Sequence, residues 1–221
     1  MTIPPLLELH VRIVLQSAAH VGTGLGLGQL LDDRVVQGPH PQFPDALVPY
    51  LPGSTIKGRL RYHLRQLAVI FERPDTEAKL FGDLERPGDL RVTDAHLSDL
   101  GLVELLRTKS STERSAPLDT YLVRGARSFV QLSRKRRVAR DERLFRIELT
   151  EAGLTFSGTI YGALHASKPR EDLALLCAAI HDLTHLGGYK GRGLGSCRMH
   201  IDSLRLGEET LDWRSLIEEK L

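Results

Sequence analysis

Apolar and polar residues alternate most strictly near the start of the chain. Leu7, Leu9, Val11, Ile13 and Leu15 interleave with Glu8, His10, Arg12, Val14 and Gln16. A period of two over this length predicts a strand with one buried face. It leads into Gly22–Gly28, with glycine at every second position. The next stretch, Gln37 to Pro52, holds Pro39, Pro41, Pro44, Pro49 and Pro52 and reads as extended loop. After Gly53 the period changes to that of a helix. Ile56, Leu60, Leu64, Leu67 and Phe71 form an apolar stripe, and Ser54 or Thr55 is placed to cap its start.

Residues 78–95 read as a turn and a short strand, and 107–125 as a long projecting loop rich in Ser, Thr and Arg. Strands return at Leu144–Leu149 and Leu154–Ile160, joined through Glu151-Ala152-Gly153. Residues 169–186 form an amphipathic helix with Leu173, Leu176, Cys177, Ile180 and Leu183 on one side. The glycine-rich loop Gly187–Gly195 follows, then a strand with Cys197, Met199 and Ile201 inward. An acidic tail, Glu208 to Glu219, reads as a short helix. Each half thus supplies strands and one helix of the split β-α-β kind. The expected fold class is α+β with a ferredoxin-like, or RRM-like, core.

The length of 221 residues suits one domain, spanning 1–221, with an insertion at about 107–140. No apolar run approaches the ~20 residues of a membrane span. The start, Met1-Thr2-Ile3-Pro4-Pro5, has no signal-peptide pattern, which predicts a cytoplasmic protein. The two cysteines, Cys177 and Cys197, fall on apolar faces and form no Cys-x-x-Cys. They read as buried thiols rather than zinc ligands.

Charge adds more than composition does. Arg124 to Arg146 carries nine basic residues against Asp141 and Glu142, a local +7, which leaves −5 on the rest of a +2 chain. Such segregation suits an anionic partner, and equally a solvated basic loop at Arg134–Arg137. Two glycine-framed basic segments point the same way. One is Pro52-Gly53-Ser54-Thr55-Ile56-Lys57-Gly58-Arg59-Leu60-Arg61. The other is Gly187-Gly188-Tyr189-Lys190-Gly191-Arg192-Gly193-Leu194-Gly195. Glycine allows close backbone approach while Lys and Arg supply charge. Lys57, Arg61 and Arg65 also stand four apart, as a ridge on the helix.

Other chemistries are less well supported. No start within Gly22–Gly28 gives Gly-x-Gly-x-x-Gly, and Pro52–Gly58 lacks a Walker pattern, so no nucleotide cofactor is expected. His181 and His185 have zinc-ligand spacing for a helix, without a third ligand. Asp32-Asp33 is an acidic pair in a loop beside Arg34, able to serve Mg2+ or a ribose hydroxyl and equally explained by turn chemistry. Tyr50, Tyr62, Tyr121 and Tyr189 lie near basic segments, but no aromatic cluster of RRM type stands on a strand. Phosphate and sugar contacts are therefore expected over base stacking.

Four stretches together resemble the RAMP superfamily of CRISPR-associated proteins, and within it the repeating backbone subunit of type III effectors. They are the strand leading to His20-Val21-Gly22-Thr23-Gly24, the segment Tyr50–Arg61, Leu80-Phe81-Gly82 with Val92-Thr93-Asp94-Ala95, and Gly187–Gly195. The resemblance implies an RRM-like core with a projecting thumb, in copies stacked head to tail along CRISPR RNA beside other effector subunits, with target RNA paired to the guide. It places His20, Gly22, Lys57, Arg59, Arg61, Gly188, Lys190 and Arg192 at RNA. Leu31-Asp32-Asp33-Arg34-Val35-Val36 is similar to the family's Ile-Asp-Asn-Pro-Val-Ile loop. That maps Asp32 onto the catalytic position, with Asp33 as substitute, and implies target-RNA cleavage with Mg2+ or Mn2+. A non-catalytic RNA-binding subunit, and a metal-independent precursor-processing ribonuclease using His20 or His40, are the alternatives.

Overall fold

The computed structural model describes residues 4–25, 32–109, 122–132, 137, 139–165 and 168–221. Its backbone is one antiparallel sheet with helices packed on it, the α+β class expected. The central strand is β1 (Leu6–Leu15), whose Leu7, Leu9, Val11, Ile13 and Leu15 are all buried as the alternation requires. Pairing follows from that face. β1 lies between β8 (Thr155–Ala163) and β9 (Cys197–Leu206), antiparallel to both. The far side of β8 is completed by two short segments, β4 (Leu90–Val92) and β5 (Ala95–Leu97).

Helix α1 (Gly53–Ile70) buries Ile56, Leu60, Leu64 and Ala68, with Leu67 and Phe71 half-buried beside them. It packs on α4 (Pro169–Asp182), which begins with Pro169 and carries Glu171 and Asp172 in its first turn, both favourable at a helix N-terminus. α4 is buried nearly all round, from Leu173 to Ile180, because the sheet, α1 and α5 (Trp213–Lys220) surround it.

The structure alters several expectations. Residues 37–51 form a hairpin, β2 (Gln37–His40) and β3 (Phe43–Leu51), where the prolines suggested loop. Pro39 lies on β2, the sheet's outermost strand, where proline is tolerated, while Pro44 and Pro49 lie on β3. Two short helices escaped the reading, α2 (Thr76–Phe81) and α3 (Leu100–Thr108). The latter is capped by Asp99, which accepts from the Leu102 N–H at 3.2 Å. α4 stops at Asp182 rather than 186, because Leu183 turns to extended backbone. The acidic tail holds α5, preceded by the two-residue β10 (Glu209–Thr210) against β9.

In the 107–140 insertion, residues 110–121 and the 133–136 basic run lie outside the described residues. What is described is a separate two-stranded ribbon, β6 (Val123–Leu132) with β7 (Ala139–Thr150), the latter containing the expected strand at 144–149. The ribbon joins the body through a second small core of Ala18, Ile147, Leu149 and Leu194, flanked by Phe129, Phe145 and Tyr189. Among the described residues no helix is long and apolar enough to cross a membrane.

Candidate nucleic-acid interface

Beyond β1 the chain turns at Ala18–Gly24, and this turn is where the separate glycine segments meet. The Gly188 N–H donates to the His20 carbonyl at 2.9 Å. Gly187 has φ +81°, and a Cβ there would collide with that same His20 carbonyl. Gly22 is equally constrained, since a Cβ on it would run into the Asp33 carboxylate and the His20 ring. From the third side comes the start of α1. The resulting open groove of about 610 Å3 is lined by residues including His20, Gly22, Asp33, Arg59, Gly188 and Tyr189.

The start of α1 is held from outside its own sequence. Neither Ser54 nor Thr55 caps it. Instead the Gly53 N–H donates to Asp94 Oδ1 at 2.7 Å, from the β4–β5 connection. The motifs around Gly53 and Asp94 are thus partners across the fold.

At the groove floor His20 is buried, with Nδ1 2.7 Å from the Glu148 carbonyl and Nε2 3.0 Å from Asp33 Oδ2. Both facing atoms are acceptors, so His20 donates from both nitrogens or Asp33 supplies the shared hydrogen. Asp33 Oδ1 also accepts from the Gly24 N–H at 2.9 Å. The carboxylate therefore sits fixed and partly exposed in the groove. Asp32 points elsewhere: its Oδ2 accepts from the Arg146 N–H at 2.6 Å, on β7. The structure brings Asp33, and not Asp32, into the groove.

The basic residues divide in the same way. Arg59 reaches the groove, its Nη2 3.4 Å from the Gly187 carbonyl. Lys190 lies near it, since Lys190 and Arg59 together lower the pKa of His185, after the larger effect of burial. Lys57 and Arg61 face α2 instead. Arg61 is paired with the buried carboxylate of Glu77 and donates to the Gly82 carbonyl at 3.0 Å. Arg65 shares Glu77 at 3.1 Å. Lys57 lies over the Phe81 ring, its ammonium pKa lowered by burial and then by Arg61 and Arg91. The ridge at spacing four is a helix-packing feature here.

An aromatic cluster went unread. Phe129 and Phe145 face each other across the ribbon and stack with Tyr189 of the glycine loop, centroids 5.7–5.8 Å apart. Arg192 lies over all three, 4.6 Å from the Phe129 centroid. The signal available was a Phe on each ribbon strand, but only the register places them opposite. By contrast, the open face of the main sheet pairs many of its own charges, Arg12 with Asp202 and Arg205 with Glu8.

Two histidine readings lose their geometry. α4 ends between His181 and His185, and His185 bridges to Ser196. His40 is buried, with Nε2 3.0 Å from the Leu97 carbonyl and Nδ1 accepting from the Gln42 N–H. Among the described residues no group of three or more His, Cys, Asp or Glu could hold a metal ion. Each Asp33 oxygen accepts one hydrogen bond, which leaves further lone pairs on the carboxylate.

The site is thus an open, glycine-walled groove with one arginine and one fixed carboxylate, on an antiparallel α+β sheet. The model of the RAMP superfamily matches residues 12–198, and the chain belongs to that family. No curated protein is matched by the sequence. Among solved structures, a chain of the cryo-EM structure of type III-B Cmr-beta in its apo state superposes with TM-score 0.57 at 12% identity, over 88% of this chain and 97% of that one. A chain of type III-B Cmr-beta bound to cognate target RNA gives TM-score 0.60 at 12% identity, over 88% and 96%. At this identity the likeness is one of fold.

Proposed function

We propose that this protein is an RNA-binding backbone subunit of a type III-like CRISPR effector, with an RRM-like core and the β6–β7 ribbon as its thumb. The observation that carries this reading is the convergence of His20, Gly22, Arg59 and Gly188 on one groove, from three separate stretches of sequence. Family membership and the fold shared with Cmr-beta chains support it. The strand order β9-β1-β8 followed by β4 and β5, with α1 between β1 and β4 and α4 between β8 and β9, supports the split β-α-β reading. Guide RNA runs through the groove beside Arg59 and Lys190, its phosphates close to glycine backbone. Copies stack head to tail, with other effector subunits and target RNA as further partners.

Within this reading Asp33 is the residue placed to contact a ribose 2′-hydroxyl, and His20 is a positioning residue that fixes its carboxylate. No step is routed through a metal. The test is cleavage of guide-complementary RNA by the assembled complex. Asp33→Ala should abolish cutting while RNA binding is retained, and Asp32→Ala should cut at a rate closer to wild type. Loss with Asp32→Ala alone would return catalysis to the first aspartate. Absence of cutting by the unmutated complex, with and without added Mg2+, would make the subunit a scaffold.

A further inference from the structure

A second cavity, of about 470 Å3, opens between the end of α4, the outer side of β9 and the start of α5. This size falls within the ~300–1,000 Å3 of small-ligand sites. His181, Thr184, Arg198, His200, Trp213 and Arg214 line it. Arg198, His200 and Arg214 are exposed, and among the described residues none has an ion pair. Three other exposed arginines on the sheet and α4 do have carboxylates: Arg12 holds Asp202, Arg205 reaches Glu8 and Arg170 holds Glu209.

Three nearby acids are bonded to other groups. Asp202, two residues beyond His200, is held by both Nε and Nη2 of Arg12 at 3.0–3.3 Å. Asp212 caps α5, accepting from the Arg214 and Ser215 N–H groups at 3.4 and 3.2 Å. Asp182 pairs with His63 at 2.8 Å. Two arginines and two histidines thus line a concave surface whose nearby acids are bonded elsewhere, Asp212 acting on Arg214 as well. Trp213 is already flanked, by Arg214 at 4.8 Å and by His181 at 5.7 Å. The indole is thus already occupied by these two side chains.

From this geometry we infer that the cavity between α4, β9 and α5 is a phosphate-binding site, with Arg198, Arg214 and His200 as its recognising groups. The phosphate comes either from a nucleic-acid backbone or from a free phosphorylated small molecule. The first source is compatible with the groove, because the short segment Thr184–Gly188 links the lining of this cavity to that of the groove. The inference stands apart from the groove reading, since none of its lining residues belongs to the groove.

Trp213 is the chain's only tryptophan, so its fluorescence reports on this cavity alone. The full chain is titrated with inorganic phosphate, with AMP, with a short single-stranded RNA and with adenosine. The expected result is a saturable change with at least one phosphate-bearing probe and none with adenosine. Affinity should fall about tenfold or more in Arg198→Ala and in His200→Ala, neither of which touches the indole, and Arg198→Lys should recover part of it. A response to RNA alone assigns the backbone source, and a response to phosphate or AMP of similar strength assigns the small-molecule source. Circular dichroism confirms that each variant is folded. No response to any phosphate-bearing probe, an equal response to adenosine, or a response unchanged in folded Arg198→Ala and His200→Ala overturns the site. The groove reading is tested separately through Arg59 and Asp33, which this signal does not read.

Discussion

Three glycine-to-alanine substitutions in one loop separate backbone strain from steric collision. Gly187, at φ +81°, would place a Cβ against the His20 carbonyl oxygen, with the carbonyl carbon at 3.0 Å and Val21 Cγ2 at 3.2 Å. The first two atoms are backbone and cannot rotate away. Gly193, at φ +75°, has nothing within 4 Å of such a Cβ, and Gly191 has neither a left-handed φ nor a neighbour. Left-handed backbone costs a non-glycine residue roughly 1–2 kcal/mol. Restricting the unfolded chain returns about 0.4–1 kcal/mol. Gly193→Ala should therefore destabilise by about 1 kcal/mol, and Gly191→Ala by about zero or slightly less.

Gly187→Ala adds an overpacking term of about 1–3 kcal/mol, because its collision is with the strand-end backbone. Its total is roughly 2–4 kcal/mol. At this chain length that lowers Tm by roughly 5–15 °C. Urea unfolding followed by far-ultraviolet circular dichroism gives the three values, with an unchanged denaturant slope showing that only stability moved. If Gly187→Ala lies within about 0.5 kcal/mol of Gly191→Ala, the loop does not press on His20 as described, and the groove floor is not built as argued.

Other expectations follow from the same contacts. Arg59→Ala should weaken RNA binding and reduce the salt slope by about one, measured by titration at several salt concentrations. Arg61→Ala should leave that slope unchanged and cost about 1–3 kcal/mol in urea unfolding, because it strips a partner from buried Glu77. Asp94→Ala should cost about 0.5–2 kcal/mol through the lost cap on Gly53. Burial pushes the Cys177 and Cys197 thiols from 9.0 up to about 12. Their folded pKa values lie above the unfolded ones, so this stabilisation is full below pH 9 and is lost as pH rises toward 12. Native protein should resist thiol reagents at pH 8 and react promptly once unfolded, as a colorimetric thiol assay would show.

Local patterns determined much of the architecture by themselves. The alternation of β1 and the stripe of α1 are each consequences of one buried face, and a buried face is written in the sequence at the period of its element. The glycine-framed segments were legible too, because glycine is required where backbone meets backbone. What the chain could not show locally is which segment each one meets. Asp32 and Asp33 are adjacent and chemically identical, yet one carboxylate bonds the ribbon backbone and the other faces His20. Neighbouring side chains on an extended segment point to opposite sides, and only the packed partners decide which side is the groove.

The same holds for the cations. Lys57, Arg59 and Arg61 look alike in sequence, but about 100° of helical rotation per residue turns Arg59 to the groove and Arg61 to Glu77, sixteen residues away. The prolines of 37–52 signalled loop because a missing N–H matters inside a sheet, and Pro39 turned out to lie on the edge strand β2. The stacking of Phe129, Phe145 and Tyr189, and the cavity around Trp213, depend on strand register and helix docking. Composition and periodicity follow from what each residue must hide from water. The functional surface follows from which distant residues that hiding brings together, and this is a property of tertiary structure alone.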